Sequence, residues 1–393
     1  MLFADKYLQK NNRNAWIHSN LNPDCGLIVV IPCFNEPDIL QTLESINACE
    51  PAESVTEVIV VINHSEISTP EIKEQNARTK QKIDNWILHH RKEKLDFHVI
   101  GPVEFAKKWA GAGLARKMGM DEAIQRFNVL EKPDGILISL DADSLVDKNY
   151  LVEIENHFRI NPKQVGSTIT FQHQTNGLSQ KHLEGILLYE KYMNYYKNAL
   201  EFIGYPYPMF TVGSAFAVRA DAYVKRGGMN RRQAGEDFYF LQNLVQLGPV
   251  GEITAIKVYP SARLSDRVPF GTGPILKKWM AREEDLTQTY NFQAFVDIKE
   301  FFLIKDNLYK IGEVDFIKLL DSIPYPVKQF LIEDNFLVEI VDLNKNCSTL
   351  NTFQNRFFQK FNAFKILKYL NFVHHGFYER KSLEEQFLIL KKM

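Results

Sequence analysis

Up to about residue 280, short apolar runs alternate with amphipathic stretches, and this alternation predicts the architecture. Residues 27–31, 56–62, 95–100 and 136–140 are strand candidates, of which 27–31 and 136–140 are short apolar runs rich in β-branched side chains. That is the pattern of strands buried on both faces, as in parallel sheets. Pro32 is expected to stop the first run, Asn63-His64-Ser65 to close the second in a turn, and Gly101-Pro102 to end the third. After Pro37, placed as a first helical residue, Ile39, Leu40, Leu43 and Ile46 recur at helical spacing. A long polar helix is predicted over 70–91 with Ile72, Ile83, Trp86 and Ile87 inward, and another over 111–127 that opens with Gly-Ala-Gly. Strand and helix in alternation indicate an α/β fold, a mostly parallel twisted sheet flanked by helices. Right-handed crossovers then gather the strand ends on one edge.

Strands over 165–171 and 211–218 follow, separated by a helix over 179–202 and a rigid loop at 204–209. Tyr189, Tyr192, Tyr195 and Tyr196 on that helix can pack as core or stack on sugar rings. Past Met280 the pattern becomes helical throughout. The chain therefore divides into a lead-in over 1–25, an α/β domain over 26–280 and a helical C-terminal extension over 281–393.

With 393 residues, 45% of them hydrophobic, the chain can build a large core as one elaborated domain or two. A formal net charge of -1 supplies no basic field for nucleic acid, so no nucleic-acid partner is expected. The four cysteines, Cys25, Cys33, Cys49 and Cys347, show no metal-ligand spacing and suggest a reducing compartment. The first twenty residues hold no apolar signal core, and no apolar run is long enough to cross a bilayer. A cytoplasmic location follows as the expectation. The last 43 residues carry eight Lys or Arg against three Glu, and eight Phe. Such an end suits peripheral contact with an anionic membrane or a partner, although a packed helical appendage needs only one core. His374-His375 has no nearby ligands in sequence and is read as structural.

The candidate chemistry lies at the predicted sheet edge. The run 136–140 ends on Asp141-Ala142-Asp143, two carboxylates around a small residue, where open α/β sheets bind ligands. Such a pair can hold Mg²⁺ or Mn²⁺ and through it a diphosphate, although Asp and Ser are also ordinary turn formers. The same edge collects Pro32, Phe34, Asn35, Glu36 and Asn63, the Gly111–Gly113 helix start, and Arg116 with Lys117. Asn35, Glu36 and Asn63 can read a base or ribose, while Asn35 and Glu36 also suit a helix N-cap. Gly111 and Gly113 favour either phosphate contact or close helix–strand packing, and Arg116 or Lys117 can add charge-assisted phosphate contacts. No Gly-x-Gly-x-x-Gly follows the first strand, so this is not a dinucleotide fingerprint. Further on, Glu236 and Asp237 at a helix start either complement the helix dipole or supply a general base. The loop 265–273, with Arg267 and Gly271-Thr272-Gly273, suits an anion and could close over a donor, or it is a surface loop.

Four motifs then occur in order: Ile-Pro-Cys-Phe-Asn-Glu at 31–36, Leu-Asp-Ala-Asp at 140–143, Val-Gly-Ser-Ala-Phe-Ala-Val-Arg at 212–219 and Gly-Glu-Asp-Phe at 235–238. Together they resemble a family 2 glycosyltransferase of the GT-A fold over residues 26–280. The resemblance implies transfer of a sugar from a nucleotide-diphosphate donor to a saccharide, lipid-linked or small-molecule acceptor. With the residues collected at the sheet edge, the expected donor site comprises Pro32, Phe34, Asn35, Glu36, Asn63, Arg116, Asp141, Ala142 and Arg267. The resemblance also implies Asp143 as metal ligand, Asp141 near ribose or metal, an acceptor-side wall at Gly213-Ser214 with Glu236, and Asp237 as base. A single base opposite the leaving group would make the reaction inverting. The chain departs from the family at Asn63-His64, where an acidic pair is usual. A sugar nucleotidyltransferase and a non-catalytic nucleotide-sugar-binding scaffold are the alternatives.

Overall fold

A computed structural model describes residues 1–11, 15–231, 235–267 and 271–393. An eight-stranded sheet is built from β1 (Cys25–Cys33), β2 (Val55–Ser65), β3 (Leu95–Phe105), β4 (Ile136–Ser139), β5 (Leu145–Val146), β6 (Gly166–Phe171), β7 (Phe216–Arg219) and β8 (Val250–Tyr259). Its order is β3-β2-β1-β4-β7-β6-β8-β5. The first four strands are mutually parallel, and β1 registers Val29 against both Val58 of β2 and Ile138 of β4. β7 runs antiparallel to β4 and β6, and β5 antiparallel to β8. The sheet is therefore mostly parallel, flanked by helices, and the C-terminal part is helical.

The early strands outrun their predicted ends for local reasons. Pro32 does not stop β1. Val30 accepts a hydrogen bond from Leu140 N–H at 3.1 Å, so even-numbered residues of β1 face β4, which has ended by the level of Pro32. The missing proline N–H falls where no ladder partner exists. Asn63-His64-Ser65 is strand, not turn, because β3 continues past Gly101-Pro102 and pairs with it through Val103, Glu104 and Phe105. Gly101 makes this continuation possible: its φ is +96°, and a Cβ there would sit 2.3 Å from the Ile62 carbonyl oxygen. Conversely, the predicted strand over 211–218 begins only at Phe216, since Ala215 N–H turns back to the Val212 carbonyl.

Contacts divide the chain into two compact units, Met1–Leu178 with Thr211–Lys277, and Ser179–Phe210 with Lys278–Met393. In the first, helix Ala112–Val129 lies so close to the sheet that a Cβ on Gly119 would be 2.5 Å from Val30 Cγ1. The lead-in is strapped to this helix: Asn128 accepts from Ala4 N–H, and Glu122 accepts from Trp16 and Ile17 N–H. The second unit packs helix Gln180–Phe202 with the helices from Phe292 onward around a phenylalanine-rich core, Phe301, Phe336, Phe357 and Phe361 among them. Tyr195 is core, donating to the Tyr290 carbonyl, while Tyr192 and Tyr196 are half-buried. His374 accepts from Asn291 N–H and is structural. Among the described residues no helix is long and apolar enough to cross a membrane. All four cysteines are buried free thiols.

Candidate active site

The site residues all lie in the first unit: at the carboxyl ends of β1, β2 and β4, on helix Ala112–Val129, on the segment before β7, and on the segments that follow β7 and β8. Asn76 organises the β1 and β2 ends. It is fully buried on helix Pro70–His89, accepts from Asn35 N–H at 2.9 Å, and donates to the Asn63 carbonyl at 2.8 Å. Its amide also lies 3.3 Å from His64 Nδ1. Asn35 takes a left-handed conformation, φ 48°, that asparagine tolerates and that turns the chain away from the sheet. Burial, aided by Lys73, holds the His64 pKa below the usual imidazole range, against the pull of Glu104. Asn63 is 1% exposed, and its side-chain oxygen is buried without a hydrogen-bond partner. A buried orphan acceptor is costly unless a ligand satisfies it.

Beside it, Glu36 is pinned by two arginines. Arg263 forms a two-pronged pair with both of its oxygens, and Arg267 Nη1 reaches Oε2 at 2.9 Å. Burial alone would raise the Glu36 pKa, but the hydrogen bonds and charges of Arg263 and Arg267 win and lower it. The same Arg263 touches Asp143 Oδ2 at 2.6 Å. Burial pushes the Asp143 pKa up to about 6, with Arg263 opposing and the neighbouring charges of Asp141 and Glu36 adding to the rise. Gln174 fixes the backbone here, donating to the Asp143 and Tyr259 carbonyls. The Ala142 carbonyl accepts from Thr42.

On the other side of Asp141, Arg116 donates to Asp141 Oδ1 at 2.5 Å and to Glu236 Oε1. Gly235, φ 70°, starts helix Glu236–Leu244, and Asp237 follows with Oδ1 capping its neighbour Phe238 N–H at 2.7 Å. Burial raises the Asp237 pKa, with Arg116 pulling it down and the nearby Asp141 adding to the rise. Gly213 abuts both: a Cβ there would lie 2.9 Å from Arg116 Nη2 and 3.4 Å from Asp237 Oδ2. Ser139 holds that loop, donating to the Gly213 carbonyl at 2.6 Å, and Ser214 Oγ is buried without a partner. Asp141, Asp143, Glu36, Arg116, Glu236, Asp237, Gly213 and Arg267 are therefore one connected constellation. Pro32 lies buried and Phe34 half-buried at its β1 rim. Ala234 and residues 268–270 of the anticipated loop lie outside the described residues.

Among the described residues no three His, Cys, Asp or Glu side chains are grouped to hold a metal. Mg²⁺ and Mn²⁺ do not require such a cage when substrate phosphates and waters complete the shell. Asp141 and Asp143, partly exposed at 36% and 27% and each engaged by an arginine through one oxygen, fit a cation shared with a diphosphate. Arg263, Asn76 and Gln174 were not singled out from the sequence. Asn76 and Thr79 did leave a signal, since they are polar positions on the helix face that Ile83 and Trp86 bury. Arg263 left none beyond its closeness to Arg267.

A sequence profile described as Glycosyl transferase family 2 matches residues 28–227. The match includes Asn35, Asn63, Arg116, Asp141, Asp143 and Gly213 and ends before Asp237. No curated protein sequence matches the chain. Similar solved structures include S. aureus TarS 1–349 in complex with UDP-GlcNAc, at 13% identity over 81% of this chain and 90% of that one, TM-score 0.44. S. aureus TarS itself is 14% identical over 74% of this chain, with a TM-score of 0.39, and only 44% of its length is spanned. The mannosyltransferase PcManGT from Pyrobaculum calidifontis, in complex with GDP-Man and Mn²⁺, is 12% identical over 86% of this chain and 93% of its own, TM-score 0.38.

Proposed function

The chain belongs to glycosyl transferase family 2 and has the GT-A fold of that family, and from that premise we propose that it moves a sugar from a nucleotide-diphosphate donor to an acceptor hydroxyl with inversion. The observation that carries this reading is the Arg116 bridge from Asp141 to Glu236, which supports a single site shared by the paired acids after β4 and the buried Asp237. On the donor side, the orphaned Asn63 side-chain oxygen would accept an N–H of the nucleobase, and Asn35 and Phe34 would border the ribose. Arg267 and Arg263 would exchange Glu36 for the donor's phosphate oxygens, a charge-assisted bond replacing another of the same kind. Asp141 and Asp143 would hold Mg²⁺ or Mn²⁺, whose contribution when bound is Lewis-acid neutralisation of the departing diphosphate.

Asp237 takes the proton of the acceptor hydroxyl as the acceptor oxygen bonds to the anomeric carbon and the bond to the diphosphate oxygen breaks. The products are the glycosylated acceptor and the nucleoside diphosphate. Glu236 is engaged with Arg116, which leaves Asp237 as the carboxylate for this task. A raised pKa makes it a better base than an ordinary aspartate. Gly213 and Ser214 would wall the acceptor, a saccharide, a lipid-linked sugar or a small molecule.

A panel of nucleotide sugars scored by thermal stabilisation, with and without Mn²⁺, tests the donor half. A donor at a hundred times its Kd should add about 2.7 kcal/mol to stability. Asp143→Ala should lose the Mn²⁺-dependent part of that gain. A panel in which no nucleotide sugar raises the melting temperature, or an Asp143→Ala chain with an undiminished metal response, contradicts the reading.

A further inference from the structure

The Arg116 guanidinium is 2% exposed, with its two terminal nitrogens on carboxylates from distant parts of the chain. Nη2 donates to Asp141 Oδ1 at 2.5 Å, at the end of β4. Nη1 donates to Glu236 Oε1, the residue before the proposed base. Nε is buried without a hydrogen-bond partner. Gly213 closes the remaining side, since even a Cβ there would be 2.9 Å from Nη2 and 3.4 Å from Asp237 Oδ2. The segment after β4 and the helix start thus share one planar cation, with the loop before β7 packed against it.

Resting on the transferase reading, we propose that Arg116 is a positioning residue that fixes the distance between the donor-side carboxylate Asp141 and the acceptor-side base Asp237, and touches neither substrate. The physical reason is electrostatic. Without the guanidinium, Asp141, Glu236 and Asp237 are like charges in a partly desolvated space, where each would drive the others apart or into protonation. A lysine is no substitute. Its ammonium is a compact point charge, whereas the planar fork of arginine can hold two carboxylates at a set separation. Gly213 belongs to the same device, because any side chain there displaces either the guanidinium or the base.

The test is steady-state release of nucleoside diphosphate by the full chain, with water as acceptor, using whichever nucleotide sugar of the panel wild type turns over fastest. Arg116→Lys keeps a positive charge for folding, and Arg116→Met paired with Glu236→Gln removes the cation together with one partner. Both should lose about 100-fold in kcat, the scale of an ångström-sized misplacement, while the donor KM changes by no more than about threefold. Guanidinium ion, added below denaturing concentration, should restore part of the kcat of Arg116→Ala and none of that of Asp237→Asn. A wild-type kcat in Arg116→Lys overturns the proposal. So does an intact kcat with a donor KM raised about 100-fold, which would make Arg116 a donor ligand. Asp237→Asn separates the two layers. If it keeps turnover, the base assignment beneath the proposal fails; if it loses turnover while the Arg116 variants keep it, only the positioning role fails.

Discussion

Asn76 shows how one buried polar side chain can set a binding edge it does not belong to. Its amide satisfies Asn35 N–H, the Asn63 carbonyl and the His64 ring at once, so the ends of β1 and β2 keep one geometry. Asn76→Leu, nearly isosteric, strands these groups and should cost about 1–3 kcal/mol in urea denaturation. It should also weaken nucleoside-diphosphate binding by calorimetric titration; unchanged binding would mean that Asn35 and Asn63 hold their places alone. At this scale the sequence was informative about acids and poor about their partners. Asp141, Asp143, Glu236 and Asp237 stood out because carboxylates at strand and helix ends are conspicuous. Arg263, which ties Glu36 to Asp143, did not, because a long side chain from a loop can reach almost anywhere and only the fold says where.

Elements were legible where burial was two-sided. β1, β2 and β4 read directly as apolar runs, but their ends did not, since Pro32 and Asn63-His64-Ser65 carry local turn signals that the neighbouring strands override. The short β5 and the long, unevenly buried β8 have no such pattern and went unseen. Helix Ala112–Val129 depends on Gly119 for its approach to the sheet, so Gly119→Ala should destabilise by about 1–3 kcal/mol through overpacking against Val30 and Val61. A neutral change in urea denaturation would show that the layer can yield. The outer strand β3 carries a pH response. Burial holds the His98 pKa below 6.5, with Glu57 opposing and Arg126 reinforcing. The unfolded chain then binds the extra proton more readily. Stability from this group is full above pH 6.5 and is lost as the pH falls through 6.5 towards the folded value. His98→Asn should flatten the fall in stability between about pH 7 and 5, and an unaltered slope would assign it to other groups.

For the whole molecule, the apolar pattern suggested a division along the chain near residue 280, whereas the compact units interleave: Ser179–Phe210 packs with Lys278–Met393. The reason lies in side chains of helix Gln180–Phe202 whose partners come much later. Tyr195 donates to the Tyr290 carbonyl and lies edge-on to Phe295, and Phe202 packs on Phe292. A chain ending at residue 277 should therefore expose this helix, bind a hydrophobic dye strongly and unfold less cooperatively than the full chain. A cooperative, dye-silent truncation would show that the helix needs no later partner.

The claim on which everything else rests is that the acids of β4 and Asp237 act on one donor and one acceptor. The most direct measurement is the initial rate of nucleoside-diphosphate release by Asp237→Asn at saturating nucleotide sugar, relative to the unaltered chain. The account predicts a loss of about 10²–10⁴-fold, the usual contribution of a general base. A variant that releases nucleoside diphosphate at the unaltered rate would contradict it.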